Sequence, residues 1–112
     1  MTTSEQTDIN IMIAEDQNLL AKLMMVNLAD EHGFNIVAIA RDGRETLELL
    51  GKFGTDVLLL DINMPVIDGI QVLKTIRQTN SDTKVIMLSS MYEGWMIKNA
   101  IASGANGYVS KD

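Results

Sequence analysis

Residues 57–69 read Val57-Leu58-Leu59-Leu60-Asp61-Ile62-Asn63-Met64-Pro65-Val66-Ile67-Asp68-Gly69. Four apolar residues in a row stop at an acid. A run this short and this apolar suits a strand buried on both faces, as in a parallel sheet. Behind it Pro65 stiffens a loop, with the bond from Met64 trans, the commoner state even before proline. Asp68 then caps a helix that begins at Gly69. The stretch is one unit: buried strand, acidic end, loop, helix.

The same unit recurs in both directions. Ile9–Ala14 is apolar except for Asn10 and is followed at once by Glu15-Asp16. Ile36–Ala40 is continuous, Val85–Leu88 ends at Ser89-Ser90, and the short pair Tyr108-Val109 ends at Ser110-Lys111. Helical patterns lie between. Leu19, Leu20, Leu23, Met24 and Leu28 recur at helical spacing, with Gly33 as a stop. A second helix runs from Gly43 to Phe53 with Leu47, Leu50 and Phe53 inward. A third runs from Gly69 to Gln78 with Leu73 and Ile76 inward. A fourth follows Ser90, turns Ile97, Ala100 and Ile101 inward, and stops before Gly104. Strands alternating with helices imply an α/β fold: a parallel sheet with right-handed crossovers and helices on both faces.

Composition narrows the function. The chain has 112 residues, 46% of them hydrophobic and 21% charged, which is one globular domain. A net charge of -6 disfavours nucleic acid and anionic membrane surfaces. The absence of cysteine excludes disulfides and thiolate chemistry and fits a reducing cytoplasm. No apolar run approaches the ~20 residues of a membrane helix. Residues 1–8 are polar, carry no signal-peptide pattern, and read as a disordered tail before a domain over 9–112.

In an open parallel sheet the carboxyl ends of the strands share one edge, and sites form there. Glu15-Asp16, Asp61, Ser89 and Lys111 all stand at such ends. Like charges at ~4 Å near a surface repel by about 4 kcal/mol per pair, so the carboxylates call for a cation. Oxygen ligands without sulfur favour magnesium, or manganese, over zinc. Magnesium commonly shares itself with a phosphate, which makes the edge suited to a phosphoryl group. Asp61 can serve as nucleophile. The Ser89 hydroxyl and the Lys111 ammonium can stabilise charge on the transferring oxygens.

These residues carry a resemblance. The acidic pair Glu15-Asp16, the segment Leu58–Gly69 around Asp61, the strand-end Ser89 and the run Gly104-Ala105-Asn106-Gly107-Tyr108-Val109-Ser110-Lys111 resemble the receiver domain of bacterial two-component response regulators, most closely the NarL/FixJ group with LuxR-type output. The resemblance implies a doubly wound, flavodoxin-like (CheY-like) five-stranded sheet of order 2-1-3-4-5. It implies Asp61 as phosphoacceptor, charged by a sensor histidine kinase. Metal ligands would be Asp16 directly, Glu15 partly through water, Asp61, and the backbone carbonyl of Asn63, with Mg2+ or Mn2+ as the ion. Ser89 takes the hydroxyl position, Lys111 the phosphate-pairing position, and Tyr108 with Ser89 the switch. Met91, two places after Ser89, falls where the family controls water access to the phosphate.

Other readings are weaker. A haloacid-dehalogenase-type phosphatase also uses a strand-end aspartate, but needs a second aspartate two places on, where this chain has Asn63. An inactive receiver-like module would not keep the whole set. His32 reads as a cation near the end of the first helix. Met91, Trp95 and Met96 are either ordinary packing or a partner surface. The chain ends right after its fifth strand, where the family has a fifth helix. A cut from a longer regulator with a helix-turn-helix output domain, a naturally short product, and cover by another chain all fit. The first is favoured, a single-domain relay is the alternative, and a homodimer through the uncovered surface is an expectation.

Overall fold

The structure is a computed structural model and describes residues 8–79, 81–90 and 94–111. The elements run β1 (Ile9–Ala14), α1 (Asn18–Ala29), β2 (Phe34–Ala40), α2 (Gly43–Leu50), β3 (Val57–Asp61), α3 (Gly69–Gln78), β4 (Lys84–Ser89), α4 (Gly94–Ala102) and β5 (Gly107–Ser110). The five strands form one parallel sheet in the order β2-β1-β3-β4-β5. That is the doubly wound order implied by the resemblance, and four helices surround the sheet among the described residues.

Side chains alternate across the sheet. Met12, Leu58, Leu60, Val85 and Met87 are fully buried and join Val72, Leu73, Ile76 and Ala100 of α3 and α4 in the main core. The other series holds Ile11, Ile13, Leu59, Ile86, Leu88 and Val109. It faces α1, and its cover thins toward β5: Leu59 and Ile86 are only partly buried and Val109 is half-exposed. A groove of about 370 Å³ follows this side, lined by Leu20, Met24, Leu28, Leu88, Val109 and Lys111 among others.

Helix entries are built by the residues the sequence offers. The Asp42 carboxylate accepts the Glu45 N–H at 2.8 Å, and Glu45 reaches back to the Arg41 N–H at 2.8 Å. The Asp68 carboxylate accepts the Gln71 N–H at 3.0 Å, as expected of a cap. Gly69 is required by a close approach rather than by its dihedrals. A Cβ there would collide with the Asp61 carbonyl oxygen and lie 2.8 Å from the Ile62 Cα. Both obstacles are backbone and cannot turn aside. Gly69→Ala is therefore expected to lower the melting temperature sharply, by about 2 kcal/mol or more of stability. A melting curve within a degree of the parent would contradict this.

Several expectations about faces need correction. Leu19 is 73% and Leu23 52% exposed, while Ala21 is the buried residue of α1. The helix carries apolar residues nearly all round, so their spacing does not single out the face that meets the sheet. α2 ends at Leu50, with Gly51 as its cap, so Phe53 falls in the following turn and is 40% exposed. In α4 the small Ala100 meets the core, and Ile101, about 100° further round, is 50% exposed. His32 stands beyond the end of α1 at Ala29, outside the last turn where the helix dipole acts. Strands extend past the apolar runs, since Phe34, Asn35, Lys84, Ser89, Gly107 and Ser110 also pair. The expected tail falls mostly on residues 1–7, outside the described residues.

Candidate functional site

The carboxyl edge brings Glu15, Asp16, Asp61, Ser89 and Lys111 to one end of the sheet. Glu15, Asp61 and Lys111 continue the odd-numbered series of their strands, which is why charges from β1, β3 and β5 meet. Lys111 Nζ lies 3.1 Å from Glu15 Oε1 and 3.3 Å from Asp61 Oδ2. Its backbone is held by the Lys111 N–H donating to the Ser89 carbonyl at 2.9 Å. Glu15 and Asp61 are buried and Asp16 is exposed. The Asn63 N–H donates to Asp61 Oδ1 at 3.1 Å, and the Gln17 N–H to Glu15 Oε2 at 3.1 Å.

Sequence reasoning assigned Glu15 to a metal and Lys111 to phosphate. It missed that the two pair with each other across the sheet. Equal parity at the ends of β1 and β5 was the available signal.

Ser89 is buried at the end of β4, one residue beyond Leu88, the register partner of Asp61. Ser90 is exposed, which fits Ser89 as the hydroxyl of the pair. Tyr108 is partly buried and packs against the main core. Met96 also packs there, whereas Trp95 is mostly exposed and lines a groove of about 400 Å³ between α3 and α4 with Asn63, Asp68, Lys74 and Asn99. The open choice for this cluster thus divides: Met96 is packing and Trp95 is surface. Met91 lies outside the described residues.

The loop after Asp61 carries strain. Val66 has φ 72°, and the Ile67 N–H donates back across it to the Pro65 carbonyl at 2.9 Å. This positive-φ γ-turn on a β-branched residue costs about 1–3 kcal/mol. All peptide bonds are trans among the described residues, Met64–Pro65 included.

Burial and the nearby Glu15 charge raise the Asp61 pKa from 3.8 to about 6, against the opposing pull of the Asn63 N–H and Lys111. Burial works against the Lys111 ammonium, but Glu15 and Asp61 outweigh it and hold its pKa above the ordinary 10.5.

One carboxylate oxygen from each of Glu15, Asp16 and Asp61 lies within 4.8 Å of the others. Glu15 Oε1 is buried and, despite the nearby ammonium, receives no hydrogen bond of acceptable geometry. An acceptor with a spare lone pair beside two further carboxylates fits a hard divalent cation. Because the ligands bind best deprotonated, Mg2+ affinity is expected to be level above pH 7 and to fall as pH drops through about 6, approaching tenfold per unit below it. Calorimetric titrations at pH 5, 6, 7 and 8 check this; equal affinity at 5 and 8 would contradict the raised Asp61 pKa.

The parallel sheet of order 2-1-3-4-5 with acids, hydroxyl and lysine on its carboxyl edge defines a doubly wound domain equipped for phosphoryl chemistry. The chain belongs to the response regulator receiver domain family, whose model matches residues 11–112. It is a receiver of two-component signal transduction, controlled by phosphorylation. It is 34% identical over 107 residues to the transcriptional regulatory protein DegU of Brevibacillus brevis, covering 96% of this chain and 45% of that one. It is 33% identical over 101 residues to the chemotaxis protein CheY of Bacillus subtilis, covering 90% and 83%. The receiver domain of the putative response regulator NarL from Mycobacterium tuberculosis superposes with a TM-score of 0.91 at 31% identity, covering 95% and 86%. The chain thus spans under half the length of DegU and most of CheY. No helix among the described residues is long and apolar enough to cross a membrane.

Proposed function

We propose that Asp61 is the phosphoacceptor. The observation that carries this is a buried, strand-end carboxylate held 3.3 Å from the Lys111 ammonium and flanked by two further acids. A carboxylate oxygen of Asp61 attacks the phosphorus of a sensor kinase phosphohistidine. The new O–P bond forms as the N–P bond breaks, and the imidazole leaves with the electron pair. Glu15, Asp16, Asp61 and the Asn63 carbonyl would hold Mg2+, or Mn2+ in its place. When bound, the ion neutralises charge on the phosphoryl oxygens. Lys111 exchanges its carboxylate partners for a phosphoryl oxygen, and the Ser89 hydroxyl donates to another. Withdrawal of Ser89 toward the phosphoryl group leaves room into which Tyr108 turns.

The domain's turnover is limited to self-phosphorylation from small donors and slow hydrolysis of the acyl phosphate. The longer transcriptional regulatory relatives support an output in transcription, and the resemblance to the NarL/FixJ group makes that output a helix-turn-helix domain, with the receiver making no nucleic-acid contact. The match to most of CheY supports a single-domain relay as the second reading. A second copy on the α1-side groove would give a homodimer. A cytoplasmic location goes with the kinase donor. The test is to incubate the chain with phosphoramidate and read its mass with and without Mg2+. One added phosphoryl group that requires the metal supports the proposal, and no gain at any donor concentration contradicts it.

A further inference from the structure

At the opposite edge of the sheet from Asp61, one guanidinium ties together the loops that lead into β4 and β5. Arg77, on the last turn of α3, donates through Nε to the Gly104 carbonyl at 2.9 Å. Its Nη1 donates to the carbonyls of Thr83 at 2.8 Å and Ser81 at 3.4 Å, and its Nη2 to Asn106 Oδ1 at 2.8 Å. Asn106 Oδ1 also accepts the Val85 N–H at 2.9 Å, and the Asn106 N–H donates to the Val85 carbonyl at 2.8 Å. Asn106 therefore brackets the start of β4 with side chain and backbone together, and Arg77 orients that side chain. Thr83 Oγ1 carries the network on to the Thr55 carbonyl at 2.9 Å.

A separate observation shows the loop to be shaped around this side chain. Gly104 has φ 108°, and a Cβ on it would stand 2.7 Å from Arg77 Cγ and 2.9 Å from Nε. The position excludes a side chain on both counts.

The clamp sits at the root of β5. That strand has four residues, lies at the edge of the sheet and pairs only with β4. None of its four residues is fully buried, so little side-chain pattern pins its register, and a slip of one residue turns every side chain to the other face. Lys111 follows Asn106 by five residues, about 16 Å of extended chain. Error at the root is delivered at the ammonium.

We propose that Arg77 is a positioning residue for Lys111: by fixing Gly104 and Asn106 it sets the register of β5 and so the place of the ammonium beside Asp61. The proposal rests on the reading of Asp61 and Lys111 given above. The experiment compares the parent chain with Arg77→Ala, Arg77→Lys and Asn106→Ala. It reads the phosphoramidate labelling rate, the Mg2+ affinity, and the side-chain ammonium resonance of Lys111, which its carboxylate partners protect from exchange. Arg77→Ala is expected to label about tenfold more slowly and to lose the protected resonance, because small misplacements of a charge-stabilising group cost rate steeply. Mg2+ affinity holds or rises, since none of the Arg77 hydrogen bonds among the described residues reaches Glu15, Asp16 or Asp61 and a displaced ammonium competes less with the ion for Glu15 and Asp61. Arg77→Lys, which keeps some of the donors, recovers part of the rate.

Parent-like labelling with an intact Lys111 resonance overturns the proposal. So does a fall of rate and Mg2+ affinity by the same factor, which would show general loosening. Should Arg77→Ala fail to fold, Asn106→Ala carries the same readouts. If the parent chain takes no phosphoryl group, the reading of Asp61 fails, while the Lys111 resonance still decides the claim about Arg77.

Discussion

Asp61→Asn is expected to abolish phosphoryl labelling and to leave a protein more stable than the parent at neutral pH. Both effects come from one carboxylate. The amide has no anionic oxygen to attack phosphorus, so the loss of labelling is complete rather than partial. The gain in stability follows from the raised pKa of about 6. A carboxyl whose folded pKa lies above its unfolded value favours the native state fully below about 3.8, and that contribution is lost as pH rises through about 6. At pH 7.5 the parent therefore carries an ionised, buried group that the variant lacks. The difference is on the order of 1–3 kcal/mol in favour of Asp61→Asn, and it closes toward pH 4. Denaturant melts at pH 4 and 7.5 measure it. A variant less stable than the parent at pH 7.5 would show that the burial cost of Asp61 is more than met by its partners.

Lys111→Ala acts in the opposite sense. It leaves Glu15 and Asp61 buried and facing each other without a cation. Removing one partner of a buried ion pair costs about 3–5 kcal/mol, most of it the penalty on the charge left behind. Because the Lys111 pKa is raised, its contribution is fully present below 10.5 and is lost as pH rises through the higher folded value; the variant's deficit therefore spans neutral pH. Mg2+ should restore more stability to Lys111→Ala than to the parent, as the ion replaces the missing positive charge. Labelling should fall about 100-fold, the scale for removing one group that stabilises transition-state charge. Lys111→Arg keeps the charge and should keep most of the stability. A Lys111→Ala chain that melts and labels like the parent would reduce Lys111 to a surface residue.

The parts of the fold that could be read from the chain are those set by local pattern. Buried parallel strands are continuous apolar runs, and each stops where the sheet edge meets water, so Val57–Leu60 with Asp61 and Val85–Leu88 with Ser89 were legible. So were the Asp68 cap and the inward Leu73 and Ile76 of α3, a helix with one clear apolar face. α1 was not, because Leu19, Leu23 and Val26 make it apolar on several sides and only the packing of Ala21 shows which side is covered. At the edge, the residue types and their strand-end positions gave the chemistry, and the resemblance gave the roles. The Glu15–Lys111 pair and the Arg77 clamp were hidden for a different reason. Each joins segments distant in sequence through register, which only the assembled sheet specifies.

The central claim is that the phosphoryl group goes onto Asp61 and nowhere else. Reduction of the labelled chain with borohydride converts an aspartyl phosphate to homoserine at the labelled position, and fragment masses then locate it. The expected product is homoserine at position 61, formed only when Mg2+ was present during labelling. A label that resists reduction and maps to Ser89 or another hydroxyl, or homoserine at position 16, would contradict it.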